Sequence, residues 1–220
     1  MTAGFFISIE GIDGAGKSTH IGRLASLFRE RGRTGVVSRE PGGTPLAEKL
    51  RTLLLNERMD SLSEALVMFA SRREHIVDVI APALARGDVV ISDSFTDSSF
   101  AYQGGGRQFD QGVLQSLESW VQSVSPTMPS ERSAIAPDLT LWFDLPAATA
   151  ASRLASSRSP DKFEAESKIF FERVVEGYRQ RARAFPQRIV RIDADQPVDL
   201  VWQQVYENVI GRVGELCGQC

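Results

Sequence analysis

The sequence predicts an α/β protein in which a parallel β-sheet lies between layers of helices. Five short apolar runs are rich in β-branched residues, which is typical of parallel strands covered on both faces. Amphipathic segments alternate with these runs, and this alternation indicates right-handed crossover connections. At 220 residues the chain has the length of one domain with a substantial core. We therefore predict a single domain over residues 1–220.

The elements follow from these patterns in chain order. The predicted strands are 5–10, 35–39, 88–93, 139–145 and 188–193. The predicted helices are about 18–32, 44–55, 62–86, 110–124, 165–184 and 197–216. The Ser- and Pro-rich stretch 123–138 predicts a surface loop before the fourth strand. The stretch 155–163 interrupts a helical pattern with small residues and positive charge.

The composition narrows the classes of function. The net charge of −3 does not favour a nucleic-acid or membrane-surface partner, since such proteins usually carry a basic excess. No apolar stretch approaches a membrane span, and the N-terminus lacks the pattern of a signal peptide. The two cysteines, Cys217 and Cys220, form an isolated C-x-x-C pair that we interpret as an inert tail. The composition favours a cytoplasmic location.

The strongest motif is GIDGAGKS, Gly11–Ser18, which matches G-x-x-x-x-G-K-[ST] between a predicted strand and a predicted helix. Its glycines allow backbone N–H groups to surround a phosphate, and the helix N-terminus adds partial positive charge. In this motif Lys17 bridges the β- and γ-phosphates and the Ser18 hydroxyl binds Mg²⁺. The motif predicts a nucleoside triphosphate with Mg²⁺, and it leaves the phosphate acceptor open.

Several residues are candidates for the acceptor side, each with an ordinary structural alternative. Asp13 either accepts a hydrogen bond from an acceptor hydroxyl or is a solvated loop acid. Arg39, just before the turn Pro41–Gly43, either binds a phosphate or lies on the surface. Asp93 ends the third predicted strand, where it either holds Mg²⁺ or its waters or belongs to a satisfied turn.

Two more features point to a nucleobase. Phe69 and Arg73 are spaced i,i+4, so they share one helix face, and either they recognise a base or Phe69 is core and Arg73 is solvated. The segment after Asp93, SSFAYQGGGR (98–107), offers hydroxyl, phenol and amide groups beside a flexible glycine-rich loop. These groups can form hydrogen bonds with the polar edge of a nucleobase.

Four sequence motifs, taken in their order along the chain, resemble those of bacterial thymidylate kinases, a family of P-loop nucleoside monophosphate kinases. The motifs are EGIDGAGKST, REPGGTPLAEKLR, MFASRR and FTDSSFAYQGGGR, and the resemblance continues through 161–182 and 191–197. It implies a P-loop NTPase-type three-layer sandwich with a five-stranded parallel sheet, a short lid at about 153–164, and a homodimer. It implies transfer of a phosphoryl group from ATP to dTMP with Mg²⁺, giving ADP and dTDP.

The resemblance also implies roles for single residues. Asp13 is expected at the 3′-hydroxyl of the acceptor, and Arg39 at its phosphate. Phe69 is expected to stack on thymine, and Arg73 to bind its O4 edge. At the base and sugar the expected residues are Ser98, Gln103 and Tyr102, the last crowding the 2′ position so that ribose is disfavoured. The implied ATP-binding residues are Gly11, Asp13, Gly14, Ala15, Gly16, Lys17, Ser18 and Thr19, and the implied metal-binding residues are Ser18 and Asp93.

The variable positions of the phosphate-binding loop carry no Arg or Lys. In similar bacterial enzymes, lid arginines then supply charge to the transition state. The candidates here are Arg153, our first choice, and Arg158, with Lys162 nearby.

One position departs from the family. Members normally carry an arginine after the aspartate of the third strand, and this chain has Ser94. Arginine there would contact the acceptor phosphate and help to align the two phosphates. Ser94 is then a chance or engineered substitution, or another cation such as Arg72 or Arg107 takes over, or the chain binds nucleotides and turns them over poorly. A P-loop kinase for another small acceptor is the remaining alternative.

Overall fold

The computed structural model describes residues 3–123, 134–154, 162–163 and 166–217, and it contains the predicted parallel sheet. The five strands lie in the order β2-β3-β1-β4-β5, and every neighbouring pair is parallel. The strands are β1 Phe5–Glu10, β2 Gly35–Arg39, β3 Val89–Asp93, β4 Leu139–Asp144 and β5 Ile189–Asp193. Each predicted strand is present within one residue of its expected bounds, and the predicted fold class is confirmed.

Helices cover both faces of the sheet. Among the described residues they are α1 Lys17–Glu30, α2 Pro45–Asn56, α3 Ser61–His75, α4 Ala81–Ala85, α5 Thr96–Ser99, α6 Gln111–Gln122, α7 Ala147–Leu154, α8 Lys168–Ala184 and α9 Val198–Cys217. Two π-helical segments, Ile76–Ile80 and Phe100–Gly106, link α3 to α4 and extend α5. The predicted helix 62–86 is therefore a helical run in three parts.

The structure differs from the expectation in two segments. The glycine triplet 104–106, expected to form a flexible loop, belongs to the helical segment Phe100–Gly106, and α7 was not predicted. Of the predicted loop 123–138, residues 124–133 lie outside the described ranges, and Ala134 forms an isolated antiparallel bridge with Ser123. Of the predicted lid 153–164, only 153–154 and 162–163 are described. The single-domain assignment stays a prediction.

Alternating residues of the strands face two separate apolar clusters. Phe5, Ile7 and Ile9 face a cluster with side chains of α1, α8 and α9. Phe6 faces the opposite cluster with Val90 and residues of the helical run 76–83. Since both faces of the sheet are buried, the strands appear in the sequence as continuous apolar runs. No helix in the described ranges is long and apolar enough to cross a membrane.

The sheet brings three predicted functional positions to one edge. Because all strands are parallel, their carboxyl ends meet at the same edge. In the register of the sheet, Asp93 is the partner of Ile9 on one side and of Arg39 on the other. The loop that follows β1 therefore lies beside Arg39 and Asp93.

Candidate active site

The loop between β1 and α1 has the backbone of an anion-binding cradle. Gly11, Gly14 and Gly16 have φ angles of 140°, 81° and 84°, which side-chain-bearing residues rarely adopt. A Cβ at Gly11 would also lie 2.6 Å from the carbonyl oxygen of Phe143. Gly16 is the N-cap of α1 and provides no side-chain cap, so the first N–H groups of the helix point to the loop interior without a capping oxygen.

Lys17 extends back over this loop. Its ammonium donates to the carbonyl oxygens of Gly11, at 2.7 Å, and Ile12, at 3.1 Å. Ser18 and Thr19 are exposed at the start of α1, while Ala15 is buried beneath the loop. The positive charge thus lies where the motif requires it for phosphate binding.

A cavity beside this loop collects most of the predicted acceptor residues. Its wall includes Asp13, Lys17, Arg39, Asp93, Ser94, Ser98, Tyr102 and Gln103, together with Gly11. The Tyr102 hydroxyl donates to Asp13 Oδ2 at 3.3 Å, which joins the loop to the segment after β3. Residues that the sequence reasoning missed also line it: Glu40, Pro41, Arg51, Leu55, Met68, Phe95 and Phe163.

Asp93 lies among charges of both signs. Burial raises the pKa of its carboxyl, as does the nearby Asp13, whereas Lys17, Arg51 and Arg39 act to lower it. Two carboxylates close together, Asp13 and Asp93, suit a hard divalent cation, and the motif adds the Ser18 hydroxyl as an expected ligand. The described residues contain no group of three or more His, Cys, Asp or Glu side chains placed for a metal. This donor set fits Mg²⁺, which commonly binds through one or two carboxylates and the phosphates of its nucleotide.

Helix α3 does not present the predicted pair to this cavity. Phe69 packs in an apolar cluster with Ala65, Phe100, Leu114 and Leu117. Arg73 donates to the carbonyl oxygens of Val121 and Ser123, each at 3.0 Å, at the end of α6. The residues one position earlier, Met68 and Arg72, line the cavity instead. The cavity is thus lined by the pair one position before the predicted one, which is about 100° around the helix, and the roles of Phe69 and Arg73 at a base stay a prediction that this lining does not support.

A buried carboxylate holds Arg72 in place. Glu40 accepts from Arg72 Nε at 2.7 Å and lies 2.9 Å from His75 Nδ1, whose other ring nitrogen is 2.7 Å from Ser38 Oγ. Arg72 Nη2 also donates to the Phe95 carbonyl and to Ser99 Oγ. Sequence reasoning missed Glu40, although a carboxylate directly after a strand in a turn was a signal that could have found it.

Two buried polar atoms at the cavity have no hydrogen-bond partner among the described residues. They are Nη1 of Arg72 and Oε1 of Gln103. Both side chains are almost fully buried, with 1% and 0% of their surface exposed, and both line the cavity. Buried polar groups are nearly always paired in proteins, so this donor and this acceptor are available to a ligand or to water in the cavity.

Ser98 is at the cavity, but its hydroxyl is already engaged. It donates to Glu10 Oε2 at 2.5 Å and lies 2.9 Å from the hydroxyl of Tyr178. Glu10 also accepts from the Phe95 amide at 2.8 Å. Burial, and then the charge of Asp97, raise the pKa of Glu10 to about 7. Glu10, which the sequence reasoning did not select, thus fixes the start of the segment after β3 to the end of β1.

The remaining predicted cations lie in different surroundings. Arg153 reaches the carbonyl oxygens of Gly14, at 3.4 Å, and Ala194, at 3.3 Å, and lies 3.8 Å from Asp195. Arg158 lies outside the described residues. Lys162 is 2.9 Å from Glu64 Oε2.

Ser94 sits at the cavity wall in a left-handed backbone conformation, with φ at 71°. Its amide donates to the Ile9 carbonyl and its own carbonyl accepts from Ser92 Oγ. Of the two cations considered as substitutes for an arginine there, Arg72 is held by Glu40, and Arg107 is paired with Glu64 and Glu166. Arg51 lines the cavity, where its Nη1 donates to the Pro41 carbonyl at 2.9 Å.

A phosphate-binding loop beside a cation-lined cavity, at the carboxyl edge of this sheet, defines a P-loop kinase of small molecules. A family model described as thymidylate kinase matches residues 9–205. The chain is 57% identical over 219 residues to the thymidylate kinase of Polaromonas sp. (strain JS666 / ATCC BAA-500), covering 95% of this chain and 97% of that protein. It is 58% identical over 211 residues to that of Albidiferax ferrireducens, covering 96% and 97%.

A solved structure agrees with these relatives. The crystal structure of thymidylate kinase from Ehrlichia chaffeensis superposes with a TM-score of 0.73 at 33% identity, covering 94% of this chain and 98% of that chain. The chain belongs to the thymidylate kinase family. This membership gives no support to the alternative that the chain binds nucleotides without turning them over.

Proposed function

We propose that the cavity binds dTMP and the loop binds ATP, and that the γ-phosphoryl group passes directly between them. The overall activity, phosphorylation of dTMP to dTDP, follows from membership of the family. Direct transfer needs the two phosphates in line, with charge stabilisation around them. The loop and the cavity share Gly11, Asp13 and Lys17, so a nucleotide on each side would meet at this point.

The observation that carries the choice of base is the pair of unpaired atoms in the cavity. Arg72 Nη1 can only donate a hydrogen bond, and Gln103 Oε1 can only accept one. Thymine offers an acceptor, O4, next to a donor, N3–H. Cytosine reverses both groups, so it would leave two buried polar atoms unpaired in the site, which strongly disfavours binding. Met68 adds a polarizable apolar surface for the ring.

The acceptor phosphate is assigned to Arg39 and Arg51. Both line the cavity, and both lie close enough to Asp93 to lower its pKa. Arg39 is paired with Glu48 at 2.8 Å on the surface, an interaction that a dianionic phosphate can replace. Arg51 is our candidate for the cation that serves in place of an arginine at position 94.

The sugar of dTMP is assigned to the wall formed by Asp13 and Tyr102. A 3′-hydroxyl can donate to Asp13, whose Oδ2 already accepts from the Tyr102 hydroxyl. The Tyr102 ring is fixed by edge contacts with Phe163, Phe170 and Tyr178, so it cannot easily move away from an added 2′-hydroxyl. The site is thus expected to prefer deoxyribose by steric exclusion.

The donor side is assigned to the loop, with Gly11, Asp13, Gly14, Ala15, Gly16, Lys17, Ser18 and Thr19 around the phosphates of ATP. When bound, Mg²⁺ would neutralise charge on the phosphate oxygens, and Ser18 and Asp93 are the residues that would hold it. Arg153 is proposed as a further positive charge, because it already contacts the loop at the Gly14 carbonyl. Arg158 is proposed from the family resemblance alone.

We further propose a homodimer and a cytoplasmic location. Helices α2, α3 and α6 pack side by side and expose large apolar side chains: Leu46, Leu53, Leu62, Leu66, Val113 and Trp120. Trp120 is 71% exposed, and an extended apolar face of this kind is typical of a contact between subunits. The cytoplasmic location is supported by the nucleotide substrates and by the lack of a membrane-spanning helix in the described residues.

The test is formation of dTDP from dTMP and ATP with Mg²⁺, compared with dCMP, UMP and dUMP as acceptors. We expect turnover of dTMP, very little of dCMP, and a large preference for deoxyribose. Lys17→Met serves as the control, because it should lower turnover with every acceptor. Efficient phosphorylation of dCMP, or no formation of dTDP, would contradict the proposal.

A further inference from the structure

Glu64 is a buried carboxylate behind the base site. It lies on α3 with 1% of its surface exposed, and it is not part of the cavity wall. Its Oε1 accepts from Gln103 Nε2 at 3.0 Å and lies 3.3 Å from Arg107 Nε. Its Oε2 lies 2.9 Å from the Lys162 ammonium. Removing a carboxylate and its two cationic neighbours from water costs free energy, and an apolar side chain could fill the same space without that cost.

The charge state of Glu64 decides which way it can hydrogen-bond. Burial raises its pKa, but the hydrogen bond from Gln103 and the charges of Lys162 and Arg107 together bring the pKa below its ordinary value. Glu64 is therefore ionised at neutral pH, and an ionised carboxylate only accepts hydrogen bonds.

This restriction removes one of the two orientations of the Gln103 amide. If the amide turned by 180°, Oε1 would face the carboxylate, and two acceptors would be in contact without a proton. The Nε2 group must therefore face Glu64, which leaves Oε1 as the atom available at the cavity. A glutamine without this partner could present either group to a base.

We propose that Glu64 is a positioning residue that fixes Gln103 with its oxygen toward the base, and so makes the site select a base with a hydrogen at N3. The inference rests on the proposed binding of dTMP in this cavity. It adds a residue that never touches the nucleotide but sets which edge of a pyrimidine the enzyme accepts.

The substitution Glu64→Gln tests this. The new amide can donate to Gln103, so Gln103 becomes free to turn and to offer its NH₂ group to the base. The informative probe is 2′-deoxy-5-methylisocytidine monophosphate. It keeps the C4 carbonyl and the methyl group of dTMP, but N3 is an acceptor and C2 carries an amino group in place of O2.

We expect the ratio of kcat/KM for dTMP to kcat/KM for the probe to fall on the order of 10- to 100-fold in Glu64→Gln. Glu64→Asp is the matched control, because it keeps an acceptor-only group and should retain the ratio even if both rates fall. Combined with Gln103→Ala, Glu64→Gln should have no further effect on the ratio. A merely structural role would lower kcat/KM for both nucleotides equally and leave the ratio unchanged, which would overturn the proposal.

A second variant covers the case in which Glu64→Gln does not fold. Among the described residues, the charged groups facing Glu64 are Arg107 and Lys162, and Glu166 pairs with the side of Arg107 away from Glu64. Arg107→Gln removes one cation, which raises the pKa of Glu64. As the pH is lowered, Glu64 becomes protonated and the preference for dTMP over the probe is lost. In Arg107→Gln this loss should occur at a higher pH than in the unmodified chain. Identical pH profiles of the kcat/KM ratio in the two proteins would refute the inference.

The two proposals fail in distinguishable ways. If the unmodified chain does not phosphorylate dTMP, the assignment of the site is wrong before Glu64 is considered. If it does, and the ratio is insensitive to Glu64→Gln, only the inference about Glu64 is wrong.

Discussion

Replacing Arg72 by lysine tests the two tasks that we assign to its guanidinium, the pairing with Glu40 and the proposed hydrogen bond to the base. In the structure, Nε donates to Glu40 and Nη2 to the Phe95 carbonyl and Ser99 Oγ, whereas Nη1 has no partner among the described residues and is the atom that we propose binds the base. A lysine ammonium keeps the charge but cannot reach all four directions, because it lacks the planar fork of donors. We expect it to stay with the buried Glu40 carboxylate, whose loss of a cation would cost most.

The magnitude follows from the bonds lost. A hydrogen bond from a charged donor contributes about 1.5–3 kcal/mol, so losing the bond to thymine O4 should lower kcat/KM for dTMP by about 10- to 150-fold. Lost bonds to Phe95 and Ser99 should lower the free energy of unfolding by about 1–3 kcal/mol. The KM for ATP should hardly change, because Arg72 lies on the acceptor side of the cavity.

The assay is steady-state kinetics with dTMP and ATP varied in turn, together with denaturant unfolding. Arg73→Lys is the matched control: the neighbouring arginine contacts the carbonyls at the end of α6, so its dTMP kinetics should stay close to those of the unmodified chain. If Arg73→Lys impairs dTMP turnover and Arg72→Lys does not, the assignment of the helix face is refuted.

Three further predictions concern Arg51, Ser94 and Glu10. Arg51→Met should lower kcat/KM for dTMP on the order of 100-fold, as expected for a lost phosphate contact, and a change within twofold in steady-state kinetics would exclude that role. Ser94→Gly should raise the free energy of unfolding by up to about 1 kcal/mol in denaturant titrations, because φ is 71° there, and Ser94→Ala should give no such gain. Because the pKa of Glu10 is raised from 4.5 to about 7 on folding, the chain loses stability as pH rises through that window, by a few kcal/mol at most. Thermal unfolding of Glu10→Gln across the same pH range should lack this slope, and an equal slope in both proteins would disprove it.

The sequence sufficed for the sheet and the phosphate cradle because both have local signals. Each strand is an apolar run with both faces covered, and the cradle needs its glycines and lysine at fixed spacing. The carboxyl edge of a parallel sheet then brings Arg39 and Asp93 together without further information.

The proposed base site could not be predicted from local sequence signals. The helical spacing i,i+4 is shared by Phe69 with Arg73 and by Met68 with Arg72, so periodicity alone cannot choose between the pairs. Glu40 determines which arginine lines the cavity, because its carboxylate accepts a hydrogen bond from Arg72. Glu40 lies 32 positions from Arg72 in the chain, so a helical pattern cannot show this contact. Glu64 was not predicted for the same reason: its proposed role depends on contacts with Gln103 and Lys162, which are far from it in the sequence.

The glycine triplet 104–106 misled the sequence reasoning in a different way. Consecutive glycines normally indicate a loop, but here they form part of a helical segment packed against α8. A Cβ at Gly105 would lie 2.7 Å from the Arg173 carbonyl oxygen, and one at Gly106 would overlap the Phe170 ring. These glycines therefore serve the close approach of two helices.

This close packing has a consequence for mutational scans of the chain. A side chain at Gly105 would press on the backbone of α8, and one at Gly106 would displace the Phe170 ring on the same helix. Helix α8 also carries the Tyr178 hydroxyl that contacts Ser98 at the cavity. In a growth selection, substitutions at these glycines would score as harshly as those at Lys17, although neither glycine has a side chain to offer a nucleotide. A parallel screen for protein abundance would separate the two groups, with the glycine variants depleted from the folded pool and the Lys17 variants retained in it.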